Sequence, residues 1–278
     1  MCVRGAAYGD DMFASIASTA LVGVDTRPVQ VEVHAGQAVR PSFSIVGLPD
    51  TAVREARERV LSALASSEFK VPSGRITVNL SPADLPKAGS AYDLPIAIGT
   101  LVATGQVGVE ATRVVALGEL ALNGAVRSVR GGLGAAVVAR SMARPCILSP
   151  EAAGEASRVP DSDVRGAATL AEAVGVALGA IPGATVRPRP VVPSARGADL
   201  ADVRGQLVAR RALEVAAAGG HHLLMFGPPG AGKTMLASTI PSLLPPLTEE
   251  EALEVALVWG AAGLARAGSL VPPFRSPH

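Results

Sequence analysis

The chain predicts an α/β fold, and three observations carry that prediction. Apolar residues alternate with polar ones in some stretches, as Val29, Val31 and Val33 do against Gln30, Glu32 and His34, and recur at helical spacing in others, as Val53, Val60, Leu61 and Leu64 do. Strands and helices therefore follow one another along the sequence. A proline-rich stretch without hydrophobic period, Ile181 to Ser194, separates a longer first part from a shorter second part, as an extended linker between two domains would. In the second part a short apolar run, Leu223 to Phe226, feeds into a glycine-rich turn within HHLLMFGPPGAGKT, residues His221 to Thr234. That is a strand leading into a phosphate-binding loop.

The elements follow in order. Ala14 to Ala35 reads as strand, with His34 facing solvent. Phe43 to Val46 is a second strand, and Asp50 caps a helix reaching about Ser66. The opposite face of that helix, with Arg54, Glu55, Arg57, Glu58 and Arg59, has the mixed signs of a solvated surface. Arg75 to Leu80 is the next strand, and its loop SPADLPKAGSAYD leads into a helix from Asp93 to Thr104. Arg113 to Gly118 and Glu119 to Val126 read as strands, with Asn123-Gly124 supplying a hairpin turn. A helix from Gly132 to Met142, a strand from Cys146 to Leu148 and a helix from Leu170 to Leu178 complete the first part. Beyond the linker, Asp202 is placed to cap a helix from Gly205 to Ala218, which stops at Gly219-Gly220. A helix from Lys233 to Ser242 follows the loop, and Thr248 with Glu251 forms a capping box for one more, through Leu257.

Composition narrows the function classes. The 278 residues are 49% hydrophobic and 18% charged, enough apolar material for sizeable cores in two domains. With 25 basic and 24 acidic side chains the net charge is +1, so no global pull toward nucleic acid or anionic membrane is visible. Charges interrupt every apolar run before the 18 or so residues of a membrane span. Asp10 and Asp11 stand where a signal peptide needs its apolar core, so the expected compartment is the cytoplasm. Cys2 and Cys146 form neither a CxxC pair nor a metal spacing, in keeping with a reducing environment.

The sharpest chemical signal is G-x-x-x-x-G-K-[ST] from Gly227 to Thr234: Gly227, Pro228, Pro229, Gly230, Ala231, Gly232, Lys233 and Thr234. Successive backbone N–H groups in such a loop form a concave anion site, and the helix that follows points its positive end at the same phosphates. Gly230 and Gly232 remove the Cβ atoms where backbone must approach oxygen, Lys233 brings charge to the β- and γ-phosphates, and the Thr234 hydroxyl is placed to ligate Mg²⁺. ATP and Mg²⁺ are the cofactors this motif predicts.

Three longer stretches resemble one family. ADVRGQLVARRALEVAAAGGHHLLMFGPPGAGKTMLASTIPSLLPPLTEEEALEV, FSIVGLPDTAVREARERV and RITVNLSPADLPKAGSAYDLPIAIGTL are similar to the ComM/YifB family of magnesium-chelatase-like AAA+ ATPases. The resemblance implies a Lon-protease-like domain of the ribosomal S5 domain 2 type over residues 1–180, a linker over 181–200 and the first part of an AAA+ module over 201–278. It also implies a homo-hexamer working on single-stranded or branched DNA, in branch migration and recombination during natural transformation, with no membrane partner. Asp202 to Gln206 would then lie by the adenine. A magnesium-chelatase ATPase subunit and a truncated, non-enzymatic remnant are the alternatives.

Two departures from the family pattern stand out. A Lon-type peptidase places a serine after P-K-x-G and a lysine in a G-G-L-K-type stretch. The similar segments here, Pro86 to Ala91 and Gly131 to Gly134, put Ala91 and Gly134 at those positions, and neither can be nucleophile or base. No peptidase is expected. In the 44 residues after Thr234, moreover, no apolar strand ends in adjacent acids, so the carboxylates that hold Mg²⁺ and polarise water are missing and the chain is expected to bind nucleotide without turnover.

Overall fold

A computed structural model describes residues 13–183, 198–264 and 269–276. Most of the proline-rich linker thus lies outside the described residues, as does Cys2. The chain divides into two compact units, Met1–Arg189 with Gly260–Leu264, and Pro190–Trp259 with Ala265–His278.

The first unit is built on a seven-stranded mixed sheet. Strands β1 (Phe13–Val22) and β2 (Asp25–Gly36) form an antiparallel hairpin, then β3 (Ser42–Val46), β4 (Arg75–Ser81), β5 (Val115–Ala116), β8 (Cys146–Leu148) and β9 (Val164–Gly166) complete the order β3-β4-β2-β1-β5-β8-β9. The pairs β3/β4, β1/β5, β5/β8 and β8/β9 are parallel. Strands β6 (Glu119–Leu120) and β7 (Val126–Arg127) make a separate small hairpin around Asn123-Gly124. In β2 the alternation survives intact: Val29, Val31 and Val33 are buried, and His34 is exposed.

Helix α1 (Thr51–Ser66) begins where Asp50 accepts the Val53 N–H at 2.8 Å. It buries Val53, Ala56, Val60, Ala63 and Leu64 on one stripe. Helix α2 (Asp93–Ala103) is buried along its whole length and packs on β1 and β2. Leu94, Ile96, Ile98 and Leu101 are fully buried there, each contributing about 1.5–3 kcal/mol. Helices α3 (Gly132–Ser141), α4 (Pro150–Ala156) and α5 (Leu170–Ala177) follow. The sequence did not announce α4 or β9. Both are short, and α4 is nucleated by Ser149 accepting the Ala152 N–H with Pro150 at its first turn.

The second unit contains α6 (Leu207–Gly219), α7 (Lys233–Ser238), α8 (Ile240–Leu243) and all but the last two residues of α9 (Glu249–Ala261), with no strand among its described residues. Its buried cluster is Leu200, Val203, Leu213 and Leu236. Four expectations are corrected here. The run Leu223 to Phe226 is not a strand, because no neighbouring strand is present to pair its backbone, and Leu224 and Phe226 stay 86% and 91% exposed. The helix expected over Lys233 to Ser242 is broken at Thr239, ahead of Pro241, which lacks the N–H that would continue it. Asp202 does not cap α6; it exchanges hydrogen bonds with Asp199 around a short 3-10 turn, and Gln206 occupies the cap position. Helix α9 keeps the Thr248/Glu251 capping box but runs four residues past Leu257.

Candidate functional site

The glycine-rich loop lies in the second unit as an open turn. Gly230 and Gly232 both have φ +79°, a left-handed conformation that a side chain would strain. No heavy atom lies within 4 Å of where a Cβ on Gly230 would stand. Around these glycines the backbone is folded back on itself, and Lys233 turns inward, its Nζ donating to the carbonyls of Gly227 and Pro228 at 2.8 Å each. The ammonium is thereby held over the loop by two weak neutral acceptors. A phosphate oxygen, charged, is the stronger acceptor and would replace them. Thr234 is exposed, and its hydroxyl has no hydrogen-bond partner among the described residues. Pro228, Pro229 and Ala231 complete the turn, whose Ala231 N–H reaches the Pro228 carbonyl at 3.4 Å. This donor set of backbone N–H groups, one ammonium and one free hydroxyl suits an anionic phosphate accompanied by a hard divalent cation.

A second constellation occupies the first unit. The loop from Ser81 to Tyr92 is clipped to the start of α1: the Asp50 N–H donates to the Lys87 carbonyl, the Lys87 N–H to the Leu48 carbonyl, and the second Asp50 carboxylate oxygen accepts the Gly89 N–H at 2.9 Å. Gly47 permits this approach, since a Cβ there would collide with the Leu80 carbonyl. Lys87 is buried, with its amine donating to the Pro82 carbonyl, and desolvation pushes its pKa down. The motifs VGLPD and PKAGS are thus one structural piece. The PKAGS segment, with β1 and the segment 128–131, walls a cavity of 470 Å³ that includes Thr19, Thr26, Ser90, Glu119, Arg130 and Gly131.

Within this cavity Ser90 donates to the Glu119 carboxylate, which also pairs with Arg127 at 3.5 Å. Ala91 lines the wall beside it. Gly134 sits on α3 with Thr26 hard against it; a Cβ at Gly134 would collide with the Thr26 hydroxyl and methyl. No lysine side chain fits at that position.

One residue expected on a solvated face is instead central. Arg59 forks onto Asp93, its Nε donating at 2.6 Å and its terminal nitrogen at 3.0 Å, while the Leu120 N–H donates to the same carboxylate at 3.2 Å. Asp93 is fully buried. Burial pushes its pKa up, and Arg59 and the Leu120 N–H pull it back. The arrangement ties α1, α2 and β6 together behind Glu119. Spacing along α1 carried no sign of it, because the partner lies 34 residues away.

Both units match sequence families of one kind. The family described as subunit ChlI of Mg-chelatase matches residues 29–152, and that described as magnesium chelatase, subunit ChlI, matches residues 199–278. The fold and both matches make this a magnesium-chelatase ChlI-like α/β protein. Among curated proteins the chain is 44% identical over 273 residues to the competence protein ComM of Haemophilus influenzae, covering 95% of this chain and 53% of that one. It is 43% identical over 278 residues to the uncharacterized protein YifB of Escherichia coli, covering 96% and 53%. A YifB of Salmonella typhimurium is 42% identical over 278 residues, covering 95% and 53%. The chain belongs to the ComM/YifB family, and it spans about half the length of the curated relatives it matches.

Proposed function

We propose that the second unit binds Mg-ATP through Gly227 to Thr234 and that the chain is the nucleotide-binding portion of a ComM-like AAA+ motor acting on single-stranded or branched DNA. The observation that carries the nucleotide reading is the loop itself: two left-handed glycines, an inward ammonium and an exposed threonine hydroxyl within residues 230–234. The N–H groups of Gly230 and Gly232 would hold phosphate oxygens, Lys233 would exchange its two carbonyl acceptors for the β- and γ-phosphates, and Thr234 would hold the cation. Magnesium would supply the charge that neutralises the phosphates. The DNA reading is supported by 44% identity to a relative named for competence.

The acids after Thr234 are Glu249, Glu250, Glu251 and Glu254, all on α9 rather than at the end of an apolar strand, and Glu251 is engaged with Thr248. The 278-residue chain therefore binds nucleotide without turning it over. Residues 1–180 we read as a Lon-protease-like domain whose peptidase chemistry is gone, since Ala91 and Gly134 carry no reactive group and Thr26 fills the space beside Gly134. A magnesium-chelatase ATPase subunit is the weaker reading, given identity to ComM and YifB over nearly the whole chain. Homo-hexamer formation and a cytoplasmic location belong to the same proposal. Among the described residues no helix is long and apolar enough to cross a membrane.

Calorimetric titration with Mg-ATP beside a phosphate-release assay tests the site. The chain binds, Lys233→Ala abolishes binding, and neither releases phosphate. Unaltered binding in Lys233→Ala would refute the loop assignment, and Lys233-dependent hydrolysis would refute the loss of turnover.

A further inference from the structure

We infer that Gln206 is a positioning residue of the phosphate loop, holding the Gly232 N–H toward the bound phosphates; this rests on the nucleotide reading above. Gln206 precedes α6 in a left-handed conformation, φ 51° and ψ 39°, directly after Gly205 at φ +73°. A glutamine in that region is strained and persists only where its surroundings hold it. Its backbone carbonyl accepts the Arg210 N–H at 2.9 Å, and its side-chain Nε2 donates to the Ala231 carbonyl in the phosphate loop at 3.3 Å. Two left-handed residues in succession turn the chain back so that the carboxamide meets the loop.

The bond acts through the peptide plane. Ala231 C=O and Gly232 N–H belong to one peptide unit, and among the described residues the cis peptide is Ser81-Pro82, so this unit is trans. In a trans unit the carbonyl and the N–H point in opposite directions. Gln206 holds the carbonyl on its own side of the loop, and the Gly232 N–H consequently faces the other way. Gly232 has φ +79°, where the missing Cβ leaves the plane free to rotate, so the loop's own sequence does not lock this N–H. That N–H has no backbone acceptor among the described residues. The segment carrying Gln206 is itself anchored: the 3-10 turn before it is capped reciprocally by Asp199 and Asp202, and Leu200 and Val203 pack in the cluster with Leu236 of α7. Gln206 thus ties the Ala231–Gly232 peptide plane of the loop to a packed segment.

The test uses the full chain with ¹³C-alanine and ¹⁵N-glycine labels, and the variants Gln206→Gly and Gln206→Glu. Glycine relieves the left-handed strain and removes the carboxamide, so it tests the contact without endangering the fold; glutamate keeps the volume and loses the donor. In the absence of nucleotide, both variants shift the Gly232 amide resonance and leave that of Gly230 in place. Both also weaken Mg-ATP binding about tenfold, the cost of one misaligned charge-assisted hydrogen bond. An unmoved Gly232 resonance, or unchanged affinity in Gln206→Gly while Lys233→Ala still abolishes binding, overturns the role of Gln206 and leaves the nucleotide reading standing. A chain that binds no Mg-ATP overturns both.

Discussion

At the scale of single residues, the buried Asp93 is the most exacting feature of the first unit. Its carboxylate has no access to solvent and depends on Arg59 and the Leu120 N–H. Taking away the guanidinium leaves an uncompensated charge in the core, which costs more than the pair itself contributes. Arg59→Met is therefore expected to lower the unfolding free energy of the first unit by about 3 kcal/mol, measured by urea denaturation. Arg59→Lys recovers only part of it, because an ammonium cannot reproduce the two-pronged contact. Cys146 offers a second test. Its thiol is wholly buried, which pushes its pKa up to about 12, so at pH 8 it is protonated as well as inaccessible. Peptide mapping after treatment with a thiol reagent should find Cys146 unmodified in the folded chain and modified in 6 M guanidinium, a denaturing concentration of about the usual size.

At the scale of elements, the clip between VGLPD and PKAGS does two jobs with one aspartate. One Asp50 oxygen caps α1 and the other holds Gly89 on the cavity wall. Asp50→Ala is expected to cost about 1–2 kcal/mol through the lost cap, and to broaden the amide signals of residues 87–90 by NMR. Asp50→Asn, which keeps the accepting oxygen at the cap, should retain most of the stability. The Gly134 element bears on the proposal that the first unit carries no peptidase chemistry. Replacing Ala91 by serine and Gly134 by lysine together should yield no casein hydrolysis, and the Gly134→Lys change should destabilise the unit, because Thr26 occupies the space beside Gly134. Casein turnover by the double variant would show that the cavity can still be rearranged into a working site.

At the scale of the whole molecule, the two units differ in how much apolar surface they bury. The first has a continuous core running from β1 through α2 to α5. Among its described residues the second has four buried apolar ones and large exposed ones, including Val208, Leu224 and Phe226. Residues 1–183 expressed alone should therefore unfold cooperatively with the same midpoint as the higher-temperature transition of the full chain, followed by circular dichroism. The second unit should gain stability from ligand, by about 2.7 kcal/mol at a hundredfold excess over Kd. Mg-ATP is accordingly expected to raise a low-temperature transition of the full chain and leave that of 1–183 unchanged.

Local pattern was enough to read much of this protein from its residues. The β2 alternation, the Asp50 cap, the Asn123-Gly124 turn and the Thr248/Glu251 box all depend on neighbours within a few positions, and the structure repeats each of them. Ala91 and Gly134 could be recognised as inert from their chemistry alone. What local pattern could not reach was pairing across long stretches of chain. Arg59 looked solvated because its helix face carries mixed charges, and only the folding of α2 against α1 brings Asp93 to it. The strand expected at Leu223 to Phe226 has the right composition, but a strand exists by hydrogen bonds to another strand, and among the described residues none pairs with it. The family resemblance put Gln206 by the adenine but gave no sign of its contact with Ala231, which spans 25 residues and depends on two left-handed residues turning the backbone. Local spacing determines most of the helices and strands; strand pairing, burial, charge pairing and the orientation of a single peptide plane are properties of the packed whole, because each depends on what the rest of the chain places opposite.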